Sequence, residues 1–264
     1  MLTNAVNWFR DEVISSRRED WEKFKRQHPV AFKSLLYGYS AYKSYKLLEY
    51  RKIYSMFQPY TMLHRKEYIN NLALCDEYRN VKGSVVECGT WKGGMIAGIA
   101  RLLGNDRDYY LYDSFQGLPP AGDEDAWPDG YPAKSWQADL QRPEFAHIAE
   151  QKSLKVDASF AQGAMKKSGA TKVKIVPGWF RDTLPSYDGG PIAILRVDGD
   201  FYESIMDTLK NLYWKVAKGG IIILDDYYYW EGASKAVHDF LSANKLADTI
   251  KQHHDIYAYL VRKY

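Results

Sequence analysis

At 264 residues the chain is long enough for one large domain, or one domain with an extension, and its 46% apolar content excludes a disordered protein. Lys and Arg total 36 against 33 Asp and Glu, a net charge of +3 that gives no electrostatic reason to expect nucleic acid. The two cysteines, Cys75 and Cys88, are too few for a disulfide scaffold or a Cys-rich zinc site.

The opening MLTNAVNWFRDEVISSRRED has neither an apolar core nor a small-residue cleavage site, so a signal peptide is not expected. No apolar run approaches the roughly 20 residues of a membrane span, so no membrane partner is expected and the location reads as cytoplasmic. Residues 1–80 lack strand signals and read as helical. Trp8, Val13, Trp21 and Phe24 fall at loosely helical spacings, and 37–57 predicts a helix with a broad aromatic face. Thr61, after Pro59, predicts the cap of a helix running to about Arg79. Tyr, at 22 residues, suits either an interface or a sugar-binding wall.

From Gly83 the pattern changes. SVVECG predicts a strand and a glycine turn, with a helix over 94–103. YYLYD (109–113) predicts a second strand. Residues 119–143 read as a long loop, a length that signals function or disorder, and 144–168 as helical. VKIVPG (173–178) and IAILRVD (192–198) predict strands three and four, followed by a helix over 201–216. GGIIILDD (219–226) predicts strand five, followed by a helix over 233–244 and a closing strand pair at 249–253 and 257–262. Uniformly apolar strands alternating with helices mean an α/β fold, a mostly parallel sheet covered on both faces. In such a fold ligands bind beyond the carboxyl ends of the strands.

Strand one ends in Glu87-Cys88-Gly89-Thr90-Trp91-Lys92-Gly93-Gly94, which is neither Gly-x-Gly-x-x-Gly nor a P-loop. An acidic residue before the glycine turn suits a cofactor bearing a cationic amine. The motif also fits an ordinary strand-to-helix turn. Strand two ends in Asp113, placed to accept two ribose hydroxyls, with Phe115 available to stack on adenine. A loop-capping Asp and a core Phe fit the same residues. Strand four ends in Asp198-Gly199-Asp200 and strand five in Asp225-Asp226. As sheet neighbours about 4.8 Å apart, these ends would gather three or four carboxylates. Two like charges at 4 Å cost about 4 kcal/mol at an effective dielectric of 20, so the cluster must hold protons or a cation. Carboxylates alone suit Mg2+, Mn2+ or Ca2+. Capping of the following helices is the alternative. An acidic metal pocket beside a nucleotide-type pocket can activate a hydroxyl for group transfer.

From Thr61 to the C-terminus the chain resembles the macrocin O-methyltransferase family. The resemblance rests on PYTM (59–62), VVECGTWKGG (85–94), YDSFQGLP (112–119), PGWFRDTLP (177–185), LRVDGDFYES (195–204) and GGIIILDDY (219–227). It implies a Rossmann-like class I methyltransferase with a seven-stranded sheet over 61–264. Residues 1–60 would be a helical extension acting as a lid or oligomer contact. It further implies S-adenosylmethionine bound by Thr61, Met62, Glu87, Cys88, Gly89, Thr90, Trp91, Asp113, Ser114, Phe115, Ser153, Gly178 and Trp179. Mg2+ or another hard divalent cation would sit on Asp198, Asp225 and Asp226. Asp198 and Asp200 would be catalytic, Asp200 as general base. The implied partners are a small-molecule acceptor, glycosylated by analogy with the family, and further copies of the chain in a dimer or tetramer. The loop over 120–143 and the Tyr-rich N-terminal region do not match the family pattern, so the acceptor stays open. A catechol-like phenol is the alternative acceptor, and a nicotinamide-dependent oxidoreductase the alternative enzyme. His147, His238, His253 and His254 match no metal-ligand spacing and read as exposed or packing residues.

Overall fold

The structure is a computed structural model, and it describes residues 25–145, 154–254 and 257–263. Two compact units divide between Lys52 and Ile53, ahead of the domain start expected at Thr61. Trp8, Val13, Trp21 and Phe24 lie outside the described residues. Helix α1 spans Pro29–Phe57 and so begins earlier than the aromatic stretch suggested. Proline is tolerated in a first helical turn because its missing N–H has no partner there in any case.

The larger unit is built on a seven-stranded sheet of order β3-β2-β1-β4-β5-β7-β6. Its strands are β1 (Ser84–Cys88), β2 (Tyr109–Asp113), β3 (Val173–Pro177), β4 (Ile192–Val197), β5 (Val216–Leu224), β6 (Lys251–His253) and β7 (Tyr257–Val261). The first five run parallel, and β7 is antiparallel to both β5 and β6. Every residue of β1 and β4 is buried, the expected result for apolar runs covered on both faces. Strand order reverses between β1 and β4, and a crevice opens at their carboxyl ends.

Among the described residues the helices that follow in this unit are α2 (Arg65–Glu77), α3 (Gly94–Leu103), α4 (Ala133–Asp139), α5 (Ser159–Ser168), α6 (Phe180–Thr183), α7 (Tyr202–Leu212) and α8 (Glu231–Ala243). On one sheet face Ile205, Leu209 and Leu212 of α7 and Ala236, Val237 and Phe240 of α8 pack onto Leu195, Val197, Ile222 and Leu224. Each such side chain contributes roughly 1.5–3 kcal/mol by leaving water.

Several boundaries depart from expectation. Thr61 does not cap α2. Its hydroxyl accepts a hydrogen bond from Leu63 N at 3.2 Å, and His64 opens the helix with its own N–H donated to Glu67 at 3.0 Å. The 119–143 segment holds helix α4, too short for a periodicity signal. Within 144–168 helix begins only at Ser159, residues 146–153 being outside the described set. Strand β5 spans Val216–Leu224, beginning ahead of the expected start at Gly219. Among the described residues no helix is long and apolar enough to cross a membrane.

Candidate active site

A cavity of about 720 Å³ lies at the carboxyl ends of β1, β2, β4 and β5. Its floor is the glycine turn after β1. Gly89 has φ of 90°, and a Cβ there would lie 1.6 Å from the Asp198 carbonyl oxygen, so only glycine lets the turn pass the end of β4. Asp113, ending β2, holds the same turn. One carboxylate oxygen accepts Thr90 N (2.8 Å) and Trp91 N (2.7 Å), and the other accepts Phe115 N (2.6 Å). Burial nevertheless holds the Asp113 carboxyl above its ordinary value, because those three amides offset desolvation only in part. The oxygen that accepts only Phe115 N keeps lone-pair capacity for a ligand. A Cβ at Gly94 would lie 2.4 Å from the Tyr60 carbonyl, so the 60–62 segment is laid directly on the start of α3.

Of the residues that the family resemblance assigns to the cofactor, Thr61, Met62, Glu87, Gly89, Thr90, Trp91, Asp113, Ser114, Gly178 and Trp179 line the cavity. Cys88 does not. Strand alternation turns its thiol into the hydrophobic core with Val86 and Val197, so it offers the site only backbone. Phe115, whose φ is 55°, is not among the residues lining the cavity. Ser153 and His147 lie outside the described residues. Both cysteines are buried free thiols, and the His238 ring is hydrogen-bonded to the Tyr227 hydroxyl at 2.8 Å.

Across the crevice, oxygens of Asp198, Asp200 and Asp226 lie within 4.8 Å of one another. Asp200 adopts φ of 57°, a left-handed conformation costly for a residue with a side chain. Two hydrogen bonds hold it there: its N–H donates to Asp226 Oδ2 at 2.9 Å, and Trp230 Nε1–H donates to its Oδ1 at 3.1 Å. Burial, then repulsion from Asp198, pushes Asp200 up to about 7. Burial and the neighbouring Asp200 and Asp198 push Asp226 well above the carboxylate range.

Of the expected ligand set, Asp198 and Asp226 gather with Asp200, while Asp225 stands against Arg196. Asp225 extends the alternation of β5 onto the opposite face from Leu224, where it meets Arg196 Nη2 at 2.5 Å. Burial pushes Asp225 up to about 7, with Arg196 opposing that rise. Arg196, which the sequence reading passed over, is 1% exposed and is also paired with Asp198 (2.6 Å) and Glu87 (3.1 Å). Its guanidinium stays charged because these three carboxylates outweigh desolvation.

The 119–143 segment forms a built wall. Asp125 is buried, and its carboxylate accepts Gly122 N at 2.7 Å and Tyr202 N at 2.8 Å, capping α7. Ala126 O accepts Glu231 N, the first amide of α8, at 2.9 Å. Trp127 lies 4.3 Å from the Trp230 ring, and Trp136 stands 6.0 Å from Trp230 and 6.3 Å from Trp127. All three indoles line the cavity beside Asp200.

The residues fit the groups expected of them. The acidic trio offers only hard oxygen donors, which suits a divalent cation such as Mg2+ or Mn2+. The hydroxyls of Thr90, on the glycine turn, and Tyr257, at the start of β7, are buried at the cavity wall without a hydrogen-bond partner among the described residues. Buried polar groups are paired in native proteins, so these hydroxyls call for a polar ligand.

The sheet order, the acidic glycine turn and the Asp113 cradle together define a Rossmann-like methyltransferase dependent on S-adenosylmethionine. The family model described as Macrocin-O-methyltransferase (TylF) matches residues 50–263, and the chain belongs to this O-methyltransferase family. It is 36% identical to demethyldecarbamoylnovobiocin O-methyltransferase of Streptomyces niveus over 198 residues, 72% of this chain and 71% of that protein. It is 32% identical to mycinamicin III 3''-O-methyltransferase of Micromonospora griseorubida, over 72% of this chain and 74% of that one. The solved structure of the O-methyltransferase NovP is similar with a TM-score of 0.63 at 33% identity, covering 78% of this chain and 83% of that chain. CalS11, a calicheamicin methyltransferase, shares the fold with a TM-score of 0.57 at 18% identity, over 93% of each chain. Membership of an O-methyltransferase family sets aside the nicotinamide-dependent oxidoreductase.

Proposed function

We propose that the enzyme methylates a hydroxyl of a sugar carried by a small molecule, with Asp200 as general base and a divalent cation held among Asp198, Asp200 and Asp226. One observation carries this reading: Asp200 is oriented by the Trp230 indole and the Asp226 carboxylate in the cavity that the glycine turn also lines. A base with a pKa near 7 is matched to proton removal at neutral pH. Asp200 takes the hydroxyl proton as the acceptor oxygen forms its bond to the methyl carbon and the carbon–sulfur bond breaks, releasing S-adenosylhomocysteine. A bound cation would lower the cost of negative charge on the acceptor oxygen. Asp113 and the glycine turn orient the methyl donor, and Arg196 holds the carboxylates of Asp198 and Asp225 in place beside it.

The relatives support a glycosidic acceptor, since the mycinamicin enzyme is named for a 3''-hydroxyl and a further relative from Streptomyces olivaceus for a rhamnosyl tetracenomycin. A catechol-like phenol is the second reading, favoured by the indole wall. The test is methyl transfer from S-adenosylmethionine to a panel of glycosides and catechols, followed by mass spectrometry with EDTA and then with restored Mg2+. Transfer to glycosides that stops in EDTA and returns with Mg2+ supports the assignment; transfer to catechols alone, or transfer indifferent to EDTA, counts against it.

The Met1–Lys52 unit is further inferred to join copies of the chain, because Tyr37, Tyr45 and Leu48 stand exposed on α1. Light scattering on the full chain and on a chain lacking that unit tests this. An unchanged mass per particle would remove the assignment.

A further inference from the structure

Helix α5 and the segment leading into it support the cavity from outside. Val156 N donates to Phe115 O at 3.4 Å and Gln116 forms an antiparallel bridge with Lys155, which ties this segment to the chain just past Asp113. Leu154, ahead of it, lines the cavity. The helix itself lies on the end of the glycine turn: a Cβ at Gly93 would stand 3.0 Å from the Ala161 Cα. Towards its other end Lys167 Nζ is 5.7 Å from the centre of the Tyr60 ring, and Tyr60 also lines the cavity. One element therefore meets Tyr60, the glycine turn and the chain that follows β2.

Trp91, within that turn, lines the cavity in a costly conformation. Its φ is 46°, the left-handed region that bulky residues avoid. The Asp113 carboxylate fixes its amide at 2.7 Å, but a bond to the amide leaves the indole free to rotate about its side-chain torsions. Holding the ring takes a further contact. Lys92 Nζ stands 4.3 Å from the centre of the Trp91 ring and 5.1 Å from that of Phe160 on α5. Both distances fall inside the roughly 6 Å reach of a cation–π contact. Lys92 is half-buried and makes no ion pair among the described residues. Neither Lys92 nor Phe160 lines the cavity. Its ammonium thus lies against two rings, one on the turn and one on α5, instead of at a carboxylate.

Resting on the reading that this turn binds the methyl donor, we propose that Lys92 is a positioning residue for that donor: with Phe160 it clips the Trp91 ring in place as a fixed wall of the donor pocket. A ring already held loses little rotamer freedom when the donor arrives, so the clip acts on affinity. An indole engaged by one cation attracts a second only weakly, so the ring meets the donor as an apolar surface and not as the partner of its sulfonium. The clip therefore serves S-adenosylmethionine and S-adenosylhomocysteine alike.

Isothermal titration of the full chain with S-adenosylhomocysteine and with S-adenosylmethionine tests this without an acceptor, and so independently of the glycoside reading. Trp91→Ala should weaken both ligands by about tenfold or more, the worth of an aromatic wall. Lys92→Met keeps the stem and loses the charge, and should weaken both by about three- to tenfold, the range of one or two cation–π contacts. Lys92→Arg keeps a cation that stacks on aromatic faces and should stay within about twofold of the parent chain. Phe160→Ala, at an exposed position outside the cavity, should weaken both by about two- to fivefold with an unchanged melting transition. In a chain already carrying Trp91→Ala, Lys92→Met should have no further effect. Normal affinity in Trp91→Ala overturns the donor reading of the turn. Weakened binding in Trp91→Ala beside normal binding in Lys92→Met overturns the clip alone, as does an equal loss in Lys92→Arg or a Lys92→Met loss that persists without the indole. A change in one ligand and not the other overturns the apolar role of the ring.

Discussion

Arg196 on β4 stands in register with Glu87 on β1, and the two side chains meet at 3.1 Å with 1% of each exposed. A cation and an anion withdrawn from water on adjacent strands are worth little as a pair, because desolvation consumes most of their attraction. Their value is positional. The same guanidinium holds Asp198 at 2.6 Å and Asp225 at 2.5 Å, joining the ends of β1, β4 and β5 around one charge. Removing it strands three carboxylates. Arg196→Met should lose about 3–5 kcal/mol, the scale for breaking a buried pair from one side. The check is a urea midpoint shift with an unchanged slope. A loss under 1 kcal/mol would mean that the three carboxylates take up protons and lose little.

The carboxylates around this node make the protein's stability depend on pH and on divalent ions together. Asp200 and Asp225 sit at about 7 and Glu87 at about 8, all raised first by burial. Each binds its proton more tightly in the fold than in the open chain. Their stabilising contribution is therefore complete below the ordinary carboxylate range and is lost as pH rises through 7 to 8. A bound cation favours the ionised forms and should oppose that loss. The melting-temperature gain from Mg2+ over EDTA should be larger at pH 8 than at pH 5.5. An equal gain at both pH values would argue that the ion sits elsewhere.

Asp200 and Asp226 should fail differently when each is replaced by its amide. Asp200→Asn keeps the shape and the Trp230 contact through its side-chain oxygen while removing a base. We expect kcat to fall by about 100- to 10,000-fold, with S-adenosylhomocysteine affinity near normal. Asp226→Asn should instead raise the Mg2+ concentration needed for half-maximal rate, with part of kcat recovered at saturating ion. Isothermal titration with S-adenosylhomocysteine and a Mg2+ activation curve for each variant separate the two roles. Identical curves for both variants would dissolve the distinction.

The strand ends were legible because an apolar run that stops at an acidic residue marks both a buried strand and the side of the sheet where ligands bind. That logic led to Glu87, Asp113, Asp198, Asp200, Asp225 and Asp226, all of which line the crevice. Arg196 left a signal that went unused: an arginine within IAILRV, a strand buried along its whole length, must have anionic partners. The period of two also sorts Asp225 from Asp226, since alternation along β5 puts one on the Arg196 side and the other with Leu224. The indole wall was not readable. Trp127 and Trp136 meet Trp230 across about a hundred residues, and the segment holding the first two has no periodicity. Nor does any local pattern say that Asp125 caps a helix beginning at Tyr202, since N-cap residues normally adjoin the helix they cap.

Gly89 tests whether the donor and acceptor halves of the site are mechanically one piece. A Cβ at this position would lie 1.6 Å from the Asp198 carbonyl oxygen, a backbone atom that cannot swing aside. Relief requires the end of β4 to move, and with it Asp198 and Asp200. The φ of 90° adds a separate strain, worth about 1–2 kcal/mol for a side-chain-bearing residue. Gly130 isolates that second contribution, because its φ is 84° and a Cβ there would meet nothing within 4 Å. Gly130→Ala should therefore cost about 1–2 kcal/mol and leave turnover nearly intact. Gly89→Ala should cost more than about 4 kcal/mol, the range of backbone overlap in a core, and any folded fraction should lose Mg2+ response along with cofactor affinity. Denaturation midpoints for the pair, with Mg2+ and S-adenosylhomocysteine titrations on the folded material, decide the matter. If Gly89→Ala behaves like Gly130→Ala, the turn after β1 and the end of β4 move independently, and the shared construction of the two halves is wrong.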